Sequence, residues 1–296
     1  VNLMAGRSDP KTSKPPKAPA ARPDLATLAG LGLALAGIVG GLLLEKGSIQ
    51  DIAQVTAAFI VFGGTIGAVL VTTPLSVFLA SVKGLRHVFF EQGTTAMETI
   101  ETLIRFATQA RKSGIVSLEE EAQKIPDPFF SKALNLAVDG TDLKDLRHMM
   151  ETDIELSEQA EEQQAKVWEA AGGYAPTIGI IGAVMGLIQV MKHLDDIKEV
   201  GHGIAVAFVA TVYGVGSANI LFLPSANKMR ARSHRARIFH EMVLEGVTGI
   251  VEGLNPTLIR LKLAAFNQEP ERPAKKTGNV PAAAKSSMPQ AAPAGD

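Results

Sequence analysis

The chain has 296 residues, a formal net charge of −1 at neutral pH and no cysteine, so disulfides, thiolate metal sites and cysteine catalysis are excluded. Hydrophobic residues make up 46% and charged residues 20%, and the mean hydropathy is +0.17. The apolar residues must therefore stand in blocks apart from a polar region, as in a membrane protein. The near-zero charge averages regions of opposite sign and points to no partner.

Residues 1–23 set Arg7, Lys11, Lys14, Lys17 and Arg22 among Pro, Ala and Ser and read as a disordered basic tail. The tail suits an anionic lipid surface; a misassigned start is the competing account, Val1 being a start codon taken literally and Met4 the alternative. Leu25–Leu44 is longer than a signal-peptide core, and AGIVGGLLLEKG is a poor cleavage site, so a retained membrane helix is expected rather than a cleaved leader. After a short loop, Glu45–Asp51, a second span starts near Ile52, and Pro74 marks its lower end. Both spans, together residues 24–74, read as membrane anchors, with small residues for packing in FGGTIGA (Phe62–Ala68).

Residues 75–169 form the large polar segment, expected to be a helical cytoplasmic domain. Leu79–Phe90 continues as an amphipathic stretch out of the membrane, and Ile100, Leu103, Ile104 and Ala107 follow helical spacing up to a break at Gly114. Ser117 with Glu120 suggests a capping box, Pro126–Pro128 a turn, and Phe129–Asp142 a short helix ending at Gly140. Thr141 or Asp142 can cap the long helix that runs into the third span. Its acidic run, Glu151, Asp153, Glu155, Glu158, Glu161 and Glu162, reads as a solvated face or the fringe of a subunit interface.

Residues 170–227 hold two further spans, with uncharged windows at Ala170–Met191 and Gly203–Asn227. Gly179, Gly182 and Gly186 leave one face of the first nearly bare backbone, so another helix can approach closely. Pro176 and Pro224 lie near the same side of the two windows, and Thr211 and Tyr213 put hydroxyls inside the second. Residues 228–266 continue as an amphipathic helix interrupted near Gly253–Pro256, and residues 267–296, rich in Ala, Pro, Lys and Ser, read as a disordered tail. Lysine and arginine concentrate before the first span, in 75–169 and after the fourth, which predicts both termini and the large loop on the cytoplasmic side. The fold class expected is all-α, a polytopic membrane protein with four transmembrane helices and a helical cytoplasmic domain.

None of the four spans contains Asp, Glu, Lys or Arg. A protein that moves ions unaided needs an ionisable group within the membrane, so in an ion path the carboxylate must come from a partner. Thr211 could line such a path; its plain alternative is a hydroxyl bonded back to the carbonyl four residues earlier. His202 lies at the outer end of the fourth span and reads as interfacial. There is no nucleophile–base set, metal-ligand cluster or phosphate loop, so the chain reads as no enzyme, and no cofactor, metal or nucleic-acid partner is expected.

YAPTIGIIGAVMGLI, a short loop and GIAVAFVATVYGVGSANILFLPSANK together resemble the third and fourth helices of MotA-family flagellar stator subunits, and PDLATLAGLGLALAGIVGG with GGTIGA is similar to the first two. The resemblance runs from about Pro23 to about Leu263 and leaves out only the tails. It implies a homo-oligomeric ring, a pentamer, around a MotB-like single-span partner that supplies a channel Asp, with a cytoplasmic loop that pushes on the rotor protein FliG. Localisation would be the bacterial inner membrane. By the same resemblance Pro176 and Pro224 couple ion passage to movement, Thr211 lines the channel, and Arg111 and Glu119 form the charged rotor contact. Without it, that pair would read as an ordinary solvated face. Sodium-type relatives tend to carry Thr at the position of Ala183; the missing hydroxyl removes an oxygen that a hard cation would need, so protons are the expected ion. Two other classes remain open. An ExbB/TolQ-type subunit would have three spans and an external N-terminus, and a self-contained channel would need intramembrane charge or a hydroxyl-lined pore.

Overall fold

Blocks of about twenty apolar residues have one low-energy state in a bilayer, the helix, because every backbone polar group must be bonded within the segment. The computed structural model describes residues 22–91 and 96–266. The expected tails, as residues 1–21 and 267–296, lie outside the described residues. Helix α1 spans Leu25–Leu44 as expected, opened by Asp24, whose carboxylate accepts from the Thr27 N–H at 3.1 Å. Helix α2, Val55–Thr72, contains a π-helical turn at Phe59–Gly63 and stops where Thr73 turns extended ahead of Pro74. Its start is later than Ile52. Ile52 closes a separate one-turn helix, Ile49–Ile52, held by a reciprocal Ser48–Asp51 capping box. The Ile52 carbonyl accepts the Tyr213 hydroxyl.

Helix α3, Leu75–Gly84, and a turn at Arg86–Phe89 lead to Phe90–Glu91, which pairs antiparallel with Arg22–Pro23. This two-residue pairing is the β-structure of the described residues. No sequence pattern marks it, since two residues are too few to show alternation. It also orders the last two residues assigned to the basic tail.

The polar segment folds with the chain that follows the fourth span. Helices α4 (Ala96–Ser113), α5 (Pro128–Val138), the first half of α6 (Leu143–Lys192), the second half of α7 (Ile197–Val251) and α8 (Pro256–Ala264) enclose one core. Leu103, Phe106, Leu118, Leu134, Leu146, Met150, Met242 and Ile259 are wholly buried in it. The boundaries follow local chemistry. Asp127 caps α5 through the Phe130 N–H at 2.8 Å, with Pro128 in the first turn. Gly140 takes the left-handed conformation (φ 76°) that ends α5, and Asp142 then caps α6. Gly253 (φ 68°) ends α7 before Asn255 caps α8. The capping box expected from Ser117 and Glu120 does not form. Ser117 lies inside a 3₁₀ turn, Ile115–Leu118, and its hydroxyl donates back to the Gly114 carbonyl at 2.7 Å, so it is unavailable as a forward cap.

α6 has 50 residues and α7 has 55, so each is a rod of about 75 Å or more at 1.5 Å per residue. Each therefore crosses the membrane and forms a wall of the helical lobe. Among the described residues four helices are long and apolar enough to cross a bilayer: α1, α2, α6 and α7.

Candidate ion-path seam and helical lobe

The membrane halves of α6 and α7 run antiparallel with their backbones in contact. A Cβ on Gly214 would lie 2.5 Å from the Ala175 carbonyl oxygen, and one on Gly179 would lie 2.9 Å from that of Ala210. One on Gly186 would lie 2.7 Å from the carbonyl oxygen of Gly203. Any side chain at these positions would push the helices apart. The expected glycine face is thus the seam itself, and Gly182, Ala207 and Ala210 complete it. α2 packs alongside: Ala57 and Val61 meet Val206, Val209 and Ala210, and Ile60 reaches Gly182.

Pro176 is half-buried within α6, and Pro224 is exposed one residue into the helix that resumes after a π-helical turn, Ala218–Phe222. Each proline deprives the carbonyl four residues earlier of its helical donor, Gly172 and Ile220 respectively. In α7 the wider turn absorbs that defect. Gly172 packs directly against Leu223, where a Cβ would meet the Leu223 side chain at 2.5 Å. The two proline sites therefore lie near one level of the seam. Trp168 stacks on Phe222 at 6.0 Å just below it.

The Thr211 hydroxyl donates to the Ala207 carbonyl at 3.3 Å, which is the plain arrangement for a membrane threonine. It is half-buried, as is Ala183 on α6 beside Gly182. Tyr213 uses its hydroxyl to hold the chain entering α2, donating to Ile52 and accepting from the Gln54 N–H at 3.4 Å. Arg111 ends α4 and Glu119 opens the turn Glu119–Ala122; both are exposed, and neither is ion-paired with another described residue.

Two features escaped the sequence. The first is that part of the acidic row on α6 is neutralised within the chain. Arg230 of α7 binds Glu162 through two nitrogens at 3.0–3.1 Å and Glu169 at 2.5 Å, while Arg237 binds Glu158 at 2.8 Å. Glu158 and Glu162 thus serve the α6–α7 contact, whereas Glu151 and Glu155 stay exposed. The second is a clamp at the foot of α1. The Asp24 carboxylate accepts from Lys228 at 2.6 Å and Arg232 at 2.9 Å, and Arg232 also donates to the Phe90 carbonyl at 2.7 Å. The bond from Lys228, then those from the Thr27 N–H and Arg232, hold the Asp24 carboxyl well below the usual carboxylate range. The partners of Asp24 lie some two hundred residues away, beyond the reach of any local pattern.

Four spans without a charged residue, a seam of touching backbones and a long helical lobe define a polytopic membrane protein whose polar domain is built on its own spanning helices. Two family models match in sequence: "Motility protein A N-terminal" over residues 28–114 and "MotA/TolQ/ExbB proton channel family" over residues 121–242. Motility protein A of Helicobacter pylori (strain ATCC 700392 / 26695) is 37% identical over 82% of this chain and 95% of its own length. Among solved structures, C. jejuni MotAB aligns with a TM-score of 0.78 at 32% identity, covering 83% of this chain and 98% of the matched one. The flagellar MotAB stator complex from Bacillus subtilis aligns at 0.75 and 34% identity, covering 81% and 95%. The chain belongs to the MotA family of flagellar stator subunits. These matches favour the stator over the ExbB/TolQ reading.

Proposed function

We propose that this stator subunit couples proton flow to torque together with a MotB-like single-span partner. The observation that carries the reading is the uncharged membrane region. The four spans hold no Asp, Glu, Lys or Arg, so the protonatable carboxylate comes from the partner's helix. The chain sits in the inner membrane with both termini and the helical lobe in the cytoplasm, in keeping with the distribution of lysine and arginine. Several copies, a pentamer by family resemblance, surround the partner.

Thr211 lines the ion path, and Pro176 and Pro224 convert the partner's change of protonation into movement of α6 and α7. Both rods run unbroken into the lobe, so a change at the prolines reaches the cytoplasmic face without a hinge between. There Arg111 and Glu119, exposed and unpaired among the described residues, meet the rotor protein FliG. Ala183 favours protons over sodium, because it offers no oxygen ligand.

The test is deletion of this gene alone, with swimming scored and flagella counted by electron microscopy. Paralysed cells with intact filaments are expected. Normal swimming in a strain with no second stator set would overturn the reading.

A further inference from the structure

α1 and α7 do not close against each other near Pro224. Between them lies a cavity of about 320 Å³ whose walls are largely apolar, with Leu31, Ala34, Val88 and Ile220 among them. It lies at the end of the membrane block nearest the helical lobe, beside a helix none of whose residues is buried in the protein. Beside an uncovered apolar helix such a space suits hydrocarbon better than water.

The end of the cavity nearest the helical lobe is charged. Lys228 lines it, and the clamp there sets two cations, Lys228 and Arg232, against one carboxylate, Asp24. All three side chains are mostly covered, with 27%, 19% and 11% of their surface exposed. Among the side chains of this clamp one positive charge is thus left over in a partly desolvated place, where an unmatched charge is costly. Lys228 has three N–H donors, and Asp24 is the partner found for them.

We propose that this cavity is a binding site for an anionic phospholipid, with one acyl chain between α1 and α7 and the headgroup phosphate on Lys228. The phosphate supplies the missing negative charge, and the apolar walls take the chain. The lipid then rests against Ile220, Leu221 and Pro224, the stretch where α7 changes its winding.

The test is native mass spectrometry of the detergent-solubilised full-length protein with added phosphatidylglycerol or phosphatidylcholine. Phosphatidylglycerol should be retained in preference to phosphatidylcholine. Lys228→Gln should weaken its retention about tenfold, the change expected when one charge-assisted hydrogen bond is lost. Gly30→Phe should do the same with the charges intact, because Gly30 lines the cavity and a Cβ there meets nothing within 4 Å. Equal retention of the two lipids, or retention unchanged in both variants, overturns the proposal. So does a Gly30→Phe protein that keeps its lipid but loses its oligomer, which would assign the cavity to a neighbouring copy. None of these outcomes depends on swimming, so the site can fail while the stator reading stands, and the reverse.

Discussion

α1 and the α6–α7 pair are both apolar, both rich in glycine and both long enough to cross a membrane, yet they stand differently in the protein. At Gly179, Gly186 and Gly214 the place of the missing Cβ is occupied by the backbone of the facing helix. At Gly30, Gly32, Gly37, Gly40 and Gly41 of α1 a Cβ would meet nothing within 4 Å. Glycine spacing therefore marks a surface that can be approached closely, not one that has been. In α6–α7 the approach is made within the chain. In α1 it is left to lipid or to other chains, and polar contacts at one end tie the helix to the rest of the protein.

The two regions should differ most in what a side chain added at a glycine costs. Gly214→Leu should destabilise the protein by about 3 kcal/mol or more, since the new side chain meets a carbonyl oxygen that cannot retreat. Gly40→Leu in α1 should change stability by less than about 1 kcal/mol. Thermal unfolding in detergent, followed by the fluorescence of the single tryptophan, Trp168, reads both. Comparable losses at the two sites would mean that α1 is packed as tightly as the seam.

Pro176→Ala is expected to leave the protein inserted and to abolish torque, because it restores the donor that Gly172 lacks and stiffens α6 where movement is needed. Swimming speed at matched membrane levels is the measurement, and normal speed would remove the proline from the coupling. Charge reversal at Arg111 or Glu119 should weaken motility while leaving co-purification with the partner intact. Loss of the complex would make these residues structural.

Smaller effects are expected where α7 is tied by charge. Arg230→Ala leaves two carboxylates facing an empty place on a half-exposed surface and should cost about 1 kcal/mol. The Asp24 clamp should show itself through pH. A carboxyl held below its ordinary value contributes stability that is whole above about pH 5 and drains away as the pH falls through about 4 and below. The stability difference between wild type and Asp24→Asn should therefore be constant near neutrality and shrink on acidification. A difference that does not vary with pH would mean that Asp24 acts only as a neutral cap.

Much of this architecture is legible in the sequence, and the exceptions have a common cause. The ends of α1, the glycine seam, Asp142 as a cap and the stop at Gly253 follow from rules that act within a few residues. Ser117 misled because one hydroxyl can cap forwards or bond backwards, and only the 3₁₀ turn decides. Glu162 and Glu158 read as solvated or as an interface fringe because their partners, Arg230 and Arg237, lie 68 and 79 residues on. Pro224 was legible as a proline in a span. The π-helical turn that precedes it was not, because it lies where α7 packs on Gly172 of α6, a contact between residues some fifty positions apart.

Under the proposed function the chain builds an ion path but does not carry its proton. The most direct test is proton uptake by vesicles reconstituted with this protein alone, with its MotB-like partner, and with a partner whose membrane Asp is replaced by Asn. Uptake only with the unaltered partner is the result expected. Uptake by this protein alone would contradict the claim, and would mean that hydroxyls such as Thr211, or water held beside them, carry protons across the membrane without a carboxylate.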